Sequence, residues 1–215
     1  MLIDLHTHTH RYSLDSGLSP DELVEGAKAA GLDGICITEH DQFWDHREVR
    51  RLANRHDFLV LAGCEITTED GHMLVFGLDG YVFGMHRAQF LKKMADRAGA
   101  AMLVAHPYRR QFNGERGPWV PPYDDQVVKA CANAVFHIAD AVETLNGRGT
   151  SEQNGFSLDI CTRHGMPAIG ASDSHEVNDI GTCATEFERP IGGLEDLVAE
   201  LKAGKYRPVE LRRSP

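Results

Sequence analysis

The sequence predicts an α/β protein whose strands close, or nearly close, into a barrel of about seven strand–helix units. Three observations carry that expectation. Short apolar runs alternate with segments of helical character along the 215 residues. The runs are apolar throughout rather than every second residue, the pattern of parallel strands buried on both faces. Most of them end in His, Asp or Glu, and the C-terminal strand ends are where such barrels keep their functional groups. An open doubly wound sheet is the second choice. No G-x-G-x-x-G or G-x-x-x-x-G-K-[ST] loop supports a nucleotide-binding fold.

The first run, Leu2–Leu5, leads into His6-Thr7-His8-Thr9-His10. Strand side chains alternate between faces, so Asp4, His6 and His8 point the same way while the strand persists. Two imidazoles side by side at a strand end suit one metal ion. Ser19-Pro20-Asp21-Glu22 reads as a helix start, with Ser as N-cap, Pro at the first position and acids in the first turn. Leu23, Ala27 and Ala30 follow at helical spacing, and Gly31 is the stop. Gly34–Thr38 is the second strand and ends in Glu39-His40-Asp41; helical sequence covers Phe43–Arg55.

Phe58–Cys64 is the third strand and ends in Glu65. A fourth lies near Met73–Gly77, preceded by His72, and a helix from about His86 to Ala98 follows it. Ala101–Ala105 ends in His106-Pro107, and Asp140–Thr144 ends near Asn146. A helix from Ser151 to about His164 precedes Pro167–Ala171, which ends in Ser172-Asp173-Ser174-His175. A strand near Thr182–Phe187 and a helix over Leu194–Leu201 complete one domain spanning residues 1–215. Gln111–Asp125, with Gly114, Gly117, Pro118, Pro121 and Pro122, is the one irregular stretch. It follows His106-Pro107-Tyr108-Arg109 and is a candidate lid. Its aromatic residues Phe112, Trp119 and Tyr123, with Tyr108, either pack the loop or stack on a ring.

Composition narrows the function. The apolar fraction of 42% and charged fraction of 25% are those of an ordinary globular protein. No apolar run reaches the ~18 residues of a membrane span, and no secretion signal opens the chain, so a cytoplasmic location and no membrane partner are expected. The five cysteines, Cys36, Cys64, Cys131, Cys161 and Cys183, are scattered and support neither a disulfide framework nor a thiolate zinc site. The net charge of −10 argues against binding the backbone of a long nucleic-acid duplex, though not against a small anion.

The polar clusters supply His6, His8, Asp15, His40, Glu65, His72, His106, Asp173 and His175. Six imidazoles and three carboxylates exceed what one ion needs, and they are the ligand types of Zn, Fe and Mn. Without thiolates the set suits a hydrolytic cluster, in which a bridging carboxylate holds two ions about 3.5–4 Å apart. His10, His46, His56, His86, His137 and His164 lack a comparable setting and read as surface or helix residues.

The chain resembles the polymerase and histidinol phosphatase (PHP) superfamily, in its short stand-alone phosphoesterase form. The matching pieces are D-L-H-T-H at 4–8, S-L-D at 13–15, T-E-H-D at 38–41, G-C-E-I-T at 63–67, G-H at 71–72, A-H-P at 105–107, E-T-L-N at 143–146 and A-S-D-S-H at 171–175. They stand in the family's order from residue 4 to about 187. The resemblance implies a distorted (β/α)7 barrel with its metal site at the C-terminal strand ends, and a trinuclear centre. His6, His8, Glu65 and Asp173 would hold the first ion. Glu65 would bridge to a second, completed by His72 and His106. Asp15, His40 and His175 would hold the third. Where many members read T-D-H, this chain has Thr38-Glu39-His40; where many read S-x-D-G, Ser16 follows Asp15. Glu143 and Asn146 are candidates for orienting the imidazoles.

The expected chemistry is hydrolysis of a phosphate ester on two to three divalent ions (Zn, Fe or Mn), with a bridging hydroxide directed in line at phosphorus. Glu65, Asp173 and His175 are the candidate catalytic residues. Arg109 is placed to contact the phosphate in bidentate fashion, and Arg148 is a second candidate. Three divalent ions outweigh Asp15, Glu65 and Asp173, so only a loaded site attracts a phosphate. The expected partner is a small phosphorylated substrate, nucleotide or short oligonucleotide. Two other readings stand beside this one. An amidohydrolase-type barrel also opens with H-x-H, though no lysine ends a core strand here to bridge its metals. A non-catalytic module like those attached to polymerases is the other.

Overall fold

The computed structural model describes residues 1–115, 117 and 119–211. The first third of the chain follows the alternation read from its apolar runs: β1 (Leu2–Thr7), α1 (Pro20–Ala29), β2 (Gly34–Ile37), α2 (His46–His56) and β3 (Leu59–Ala62). Strands β1, β2 and β3 pair in parallel. Helix α1 begins with a capping box in which Ser19 and Glu22 satisfy each other's backbone N–H groups. Helix α2 starts later than the sequence suggests, because the Asp45 carboxylate caps the N–H groups of Arg47 and Glu48.

The next third departs from the alternation. The run expected as one strand over Phe58–Cys64 breaks at Gly63, and β4 (Cys64–Thr68) continues in a different sheet. A side chain at Gly63 would place its Cβ 2.6 Å from the Phe76 ring and 3.0 Å from the Thr38 methyl. Only glycine lets the chain pass between them and change sheets. A tight turn then joins β4 to β5 (Gly71–Phe76), antiparallel to it, and β5 runs antiparallel to β6 (Ala101–Val104) after α3 (Ala88–Ala98). The remaining elements are α4 (Tyr108–Gln111), α5 (Tyr123–Cys131), β7 (Ala141–Asn146), α6 (Ser151–His164), β8 (Ala168–Ala171), β9 (Cys183–Phe187), α7 (Leu194–Ala203) and β10 (Tyr206–Glu210). Strands β6, β7 and β8 are parallel neighbours.

The architecture is mixed α/β, in two five-stranded sheets ordered β10-β9-β1-β2-β3 and β4-β5-β6-β7-β8. One continuous closed ladder of parallel strands, as expected from the sequence, is not what the described residues form. β9 and β10 are antiparallel to their neighbours. β10 is not foreseen from the sequence because Pro208 interrupts its pattern; it lies at a sheet edge, where proline is tolerated. Isolated parallel bridges join the two sheets between Thr7 and Ser174 and between His40 and Glu65. Both junctions are beside predicted site residues.

Three apolar clusters hold this frame. One lies under α3, α5 and α6 around Phe156 and Met102, one inside the sheets around Leu5, Phe76 and Leu103, and one under α1 and α2 around Leu23 and Ile35. Cys36 and Cys64 are core residues, and all five cysteines are free thiols. Among the described residues no helix is long and apolar enough to cross a membrane. In the irregular stretch, Gln126 accepts from Asn113 N and donates to the Pro121 carbonyl, and Phe112 and Tyr123 pack on Phe156. Those two aromatics therefore pack the loop, whereas Trp119 is 95% exposed. Pro118, part of the candidate lid, lies outside the described residues.

Candidate metal centre

The nine predicted ligands do converge, from both sheets. His6 ends β1, and His8 follows it through a backbone bond from His8 N to Ser174 O. His40 follows β2, Glu65 sits at the start of β4, where β3 has just ended, and His106 follows β6. Asp173 and His175 follow β8. His72 comes from the start of β5, which runs the other way, so the rule of C-terminal strand ends does not extend to it.

Four atoms form the centre of the cluster. His6 Nε2 lies 3.2 Å from Glu65 Oε2 and 3.5 Å from Asp173 Oδ1; His8 Nε2 lies 3.3 Å and 3.4 Å from the same two oxygens. All four side chains are fully buried, yet none of these four atoms has a hydrogen-bond partner. Unpaired buried polar atoms are costly. Four donors each about 2.0–2.2 Å from a tetrahedral ion stand about 3.3–3.6 Å apart. The observed spacing is that of a first coordination shell, so the residues present fit a divalent metal.

The outer hydrogen bonds set the imidazoles for this. His6 Nδ1 is 3.0 Å from Glu143 Oε1, His8 Nδ1 is 3.1 Å from Ser13 Oγ, and His175 Nδ1 is 2.8 Å from the Asp173 carbonyl. At His6 and His8 Nδ1 is engaged on the outer side, which leaves Nε2 as the nitrogen that faces the centre. His175 Nε2 is likewise buried without a hydrogen-bond partner. Arg148 Nη1 lies 2.9 Å from His175 Nδ1 and can only donate, so it competes with the Asp173 carbonyl at that nitrogen.

Two further groupings adjoin the centre. Glu65 Oε1 is 2.7 Å from His72 Nδ1 and 2.8 Å from His106 Nε2. Asp15 Oδ2 is 3.2 Å from His175 Nε2 and 3.5 Å from His40 Nε2, while His40 Nδ1 is 2.9 Å from Glu65 Oε2. Glu65 thus faces the histidines on all sides. Burial alone would raise its pKa, but the charge of His6, the hydrogen bond from His106 and the approach of His40 hold it well below the usual carboxylate range. His6 is driven well above the usual imidazole range: burial opposes its charge, and Glu65, Asp173 and Glu143 outweigh that. The field at the centre calls for cations.

The frame is strained there. Outside glycine, Asp41, Asp57, His106 and Asp173 have positive φ. His106, at 24°, and Asp173, at 55°, are both site residues, each costing on the order of 1–3 kcal/mol. Backbone bonds hold them: His106 N donates to Glu143 Oε2 at 2.6 Å and Asp173 N to His6 O at 2.8 Å.

The two predicted arginines differ. Arg109 Nη2 is bonded to Asp173 Oδ2, the carboxylate oxygen turned away from the histidines. Asn146 Nδ2 joins both Glu143 Oε2, at 3.1 Å, and Asp173 Oδ2, at 3.2 Å. Arg148 reaches His175 from the exposed side. His10 is exposed, His46 pairs with Asp79, and His56 pairs with Asp21 and Glu25, all outside the cluster. Sequence reading meets Glu39 only within the T-E-H-D motif and Ser13 only as a flank of Asp15, and gives neither a role; both lie fully or almost fully buried behind His8.

Comparison with known proteins identifies the family. The model of the PHP domain matches residues 4–141, and that of the PHP-associated region matches residues 151–206. The "probable phosphatase" of Clostridium novyi is 26% identical over 202 residues, covering 84% of this chain and 81% of its own. The error-prone DNA polymerase of Mycobacterium bovis is 26% identical over 165 residues, 71% of this chain, which spans only 13% of that polymerase's length. A solved two-domain protein of Bacteroides vulgatus, containing a predicted PHP-like metal-dependent phosphoesterase, superposes with a TM-score of 0.68 at 20% identity. The match covers 98% of this chain and 64% of that one.

Proposed function

Taking as premise that the chain belongs to the PHP domain family, we propose that it is a metal-dependent hydrolase of phosphate esters. The observation that supports this most is the set of four unpaired buried donor atoms, His6 Nε2, His8 Nε2, Glu65 Oε2 and Asp173 Oδ1, at coordination-shell spacing. In our reading His6, His8, Glu65 and Asp173 hold one ion. Glu65, His72 and His106 hold a second, and Asp15, His40 and His175 a third. Residues 1–215 act as one unit: Asp173 and His175 come from the PHP-associated stretch, the other seven ligands from the PHP stretch. We read the two sheets, tied at Thr7–Ser174 and His40–Glu65, as one distorted (β/α)7-type barrel around this centre.

Bound Zn, Fe or Mn would supply Lewis acidity at the phosphoryl oxygens and acidify a water. The chain's own groups do the rest. Glu65 and Asp173 hold negative charge at fixed positions, Asp173 through bonds from Arg109 and Asn146 on its far oxygen. Glu143 orients His6 and ties down the strained His106 backbone. In this reading Arg109, on Asp173, and Arg148, beside His175, meet the substrate's phosphate. His175, hydrogen-bonded at Nδ1, presents its Nε2 beside Asp15 at the partly open edge.

The test is a panel of phosphomonoesters, dinucleotides and simple amides, each with Mn, Fe and Zn. Turnover of a phosphate ester with at least one metal is expected, and loss of it in His8→Ala and Asp173→Ala. Turnover of amides alone moves the chain to the amidohydrolase reading. No turnover anywhere moves it to that of a non-catalytic module.

A further inference from the structure

Behind His8 lies a buried network that supplies no ligand of its own to the metal centre. Glu39 is fully buried, and its carboxylate accepts four hydrogen bonds. Oε2 takes Thr9 N at 3.1 Å and Ser13 Oγ at 2.6 Å; Oε1 takes the Thr9 hydroxyl and Trp44 Nε1 at 3.0 Å. Thr9 N and Trp44 Nε1 can only donate, so each oxygen of residue 39 must be an acceptor. Glutamine, with one NH2 end, would set donor against donor whichever way it turned.

The consequence passes through Ser13. Its single hydroxyl proton goes to Glu39, which leaves only lone pairs for its other neighbours. One is the His40 backbone N–H at 3.3 Å and the other is His8 Nδ1 at 3.1 Å. His8 must therefore carry its proton on Nδ1, which puts the free lone pair on Nε2, 3.3 Å from Glu65 Oε2. With the serine proton turned the other way, His8 would be protonated on Nε2 and closed to a metal.

We propose that Glu39 is a positioning residue for metal uptake, fixing the His8 tautomer through Ser13. The inference rests on the metal-centre reading above and concerns a residue that never touches ion or substrate. The reach of the Glu39 side chain lets its one carboxylate span Thr9, Ser13 and Trp44 at once.

The experiment uses chelator-stripped full-length protein, with no substrate. Histidine-selective heteronuclear NMR reads the His8 tautomer, and competition with a chromogenic chelator reads zinc affinity. In the wild type, His8 Nε2 is unprotonated. In Ser13→Ala and Glu39→Gln, the tautomer becomes mixed and the tightest zinc binding weakens about 10–100-fold. Should Glu39→Gln fail to fold, Ser13→Ala, which removes one hydroxyl, carries the test alone. An unchanged tautomer, or unchanged zinc affinity with a changed tautomer, overturns the proposal. A wild type that binds no zinc overturns it together with the metal-centre reading. A wild type that binds zinc as tightly as the variants overturns the positioning role alone.

Discussion

Arg109 and Asp173 form an ion pair at the rim of the cluster, with the guanidinium on Oδ2 and the opposite oxygen, Oδ1, turned to His6 and His8. The carboxylate is thereby fixed in rotation, its outer oxygen shared with Asn146. Such outer partners hold a ligand ready, and losing one typically lowers metal affinity or activity about 10–100-fold. Arg109→Ala is expected to show both losses. A lysine at 109 keeps the charge but not the fork that reaches a carboxylate and a phosphate together. Steady-state kinetics with metal content by mass spectrometry separates the two roles. A raised KM at full metal content marks a phosphate contact alone, and metal loss marks the hold on Asp173.

Metal should stabilise the fold. The unpaired atoms at the centre belong to both sheets, since His6 and His8 lie at the end of one and Glu65 and Asp173 at the start and end of the other. An ion bound there ties the sheets together and acts on the native state alone. At about 100-fold above its Kd, one ion adds about 2.7 kcal/mol, or a rise of roughly 5–10 °C in Tm for a domain of this size. Differential scanning calorimetry of stripped protein with added Zn or Mn checks this. Glu65→Gln should abolish most of the rise, because Glu65 faces His6, His8, His40, His72 and His106 at once.

How much of this was legible in the sequence depended on the range of the interaction. His6 and His8 could be read because strand alternation is local, and α1 because its capping box is written in four consecutive residues, Ser19 to Glu22. The gathering of Glu65, His106 and Asp173 followed from family motifs rather than from spacing, since their proximity is made by strand pairing across the two sheets. The switch at Gly63 was hidden because it depends on the distant Phe76 ring. The roles of Glu39 and Ser13 were hidden for the same reason: 26 residues separate them, and only the fold puts the hydroxyl on the carboxylate.

Gly147 is where the chain leaves β7 past the site, between Asn146 and Arg148. An alanine there would drive its Cβ into the Thr182 hydroxyl and to 2.8 Å from the Ser172 carbonyl. The carbonyl is backbone leading into Asp173 and cannot turn aside. Overpacking of this kind costs about 1–3 kcal/mol. Gly147→Ala should therefore lower the unfolding free energy by that amount, read as a lower urea midpoint, and weaken metal binding as Asp173 shifts. A variant as stable as the wild type would mean that β7 and the Ser172 segment slide apart freely.

Asp4 gives the stability of the metal-free protein a pH dependence of a definite sign. It is fully buried beneath His6, its Oδ1 accepts from His6 N and Ser172 N at 3.2 Å and 3.0 Å, and its Oδ2 has no hydrogen-bond partner. Burial pushes its carboxyl up to about 7, against ~3.9 in an unfolded chain. Below about pH 4 both states hold the proton, and the group does not oppose folding. Between about 4 and 7 only the unfolded chain releases it, so stability falls as pH rises, by up to about 4 kcal/mol above both values. Asp4→Asn keeps the shape and cannot ionise. Urea denaturation of stripped protein should show wild type and variant close together near pH 4 and the variant more stable near pH 8. If the variant were the weaker at both, the charge of Asp4 would be stabilising the centre instead of opposing the fold.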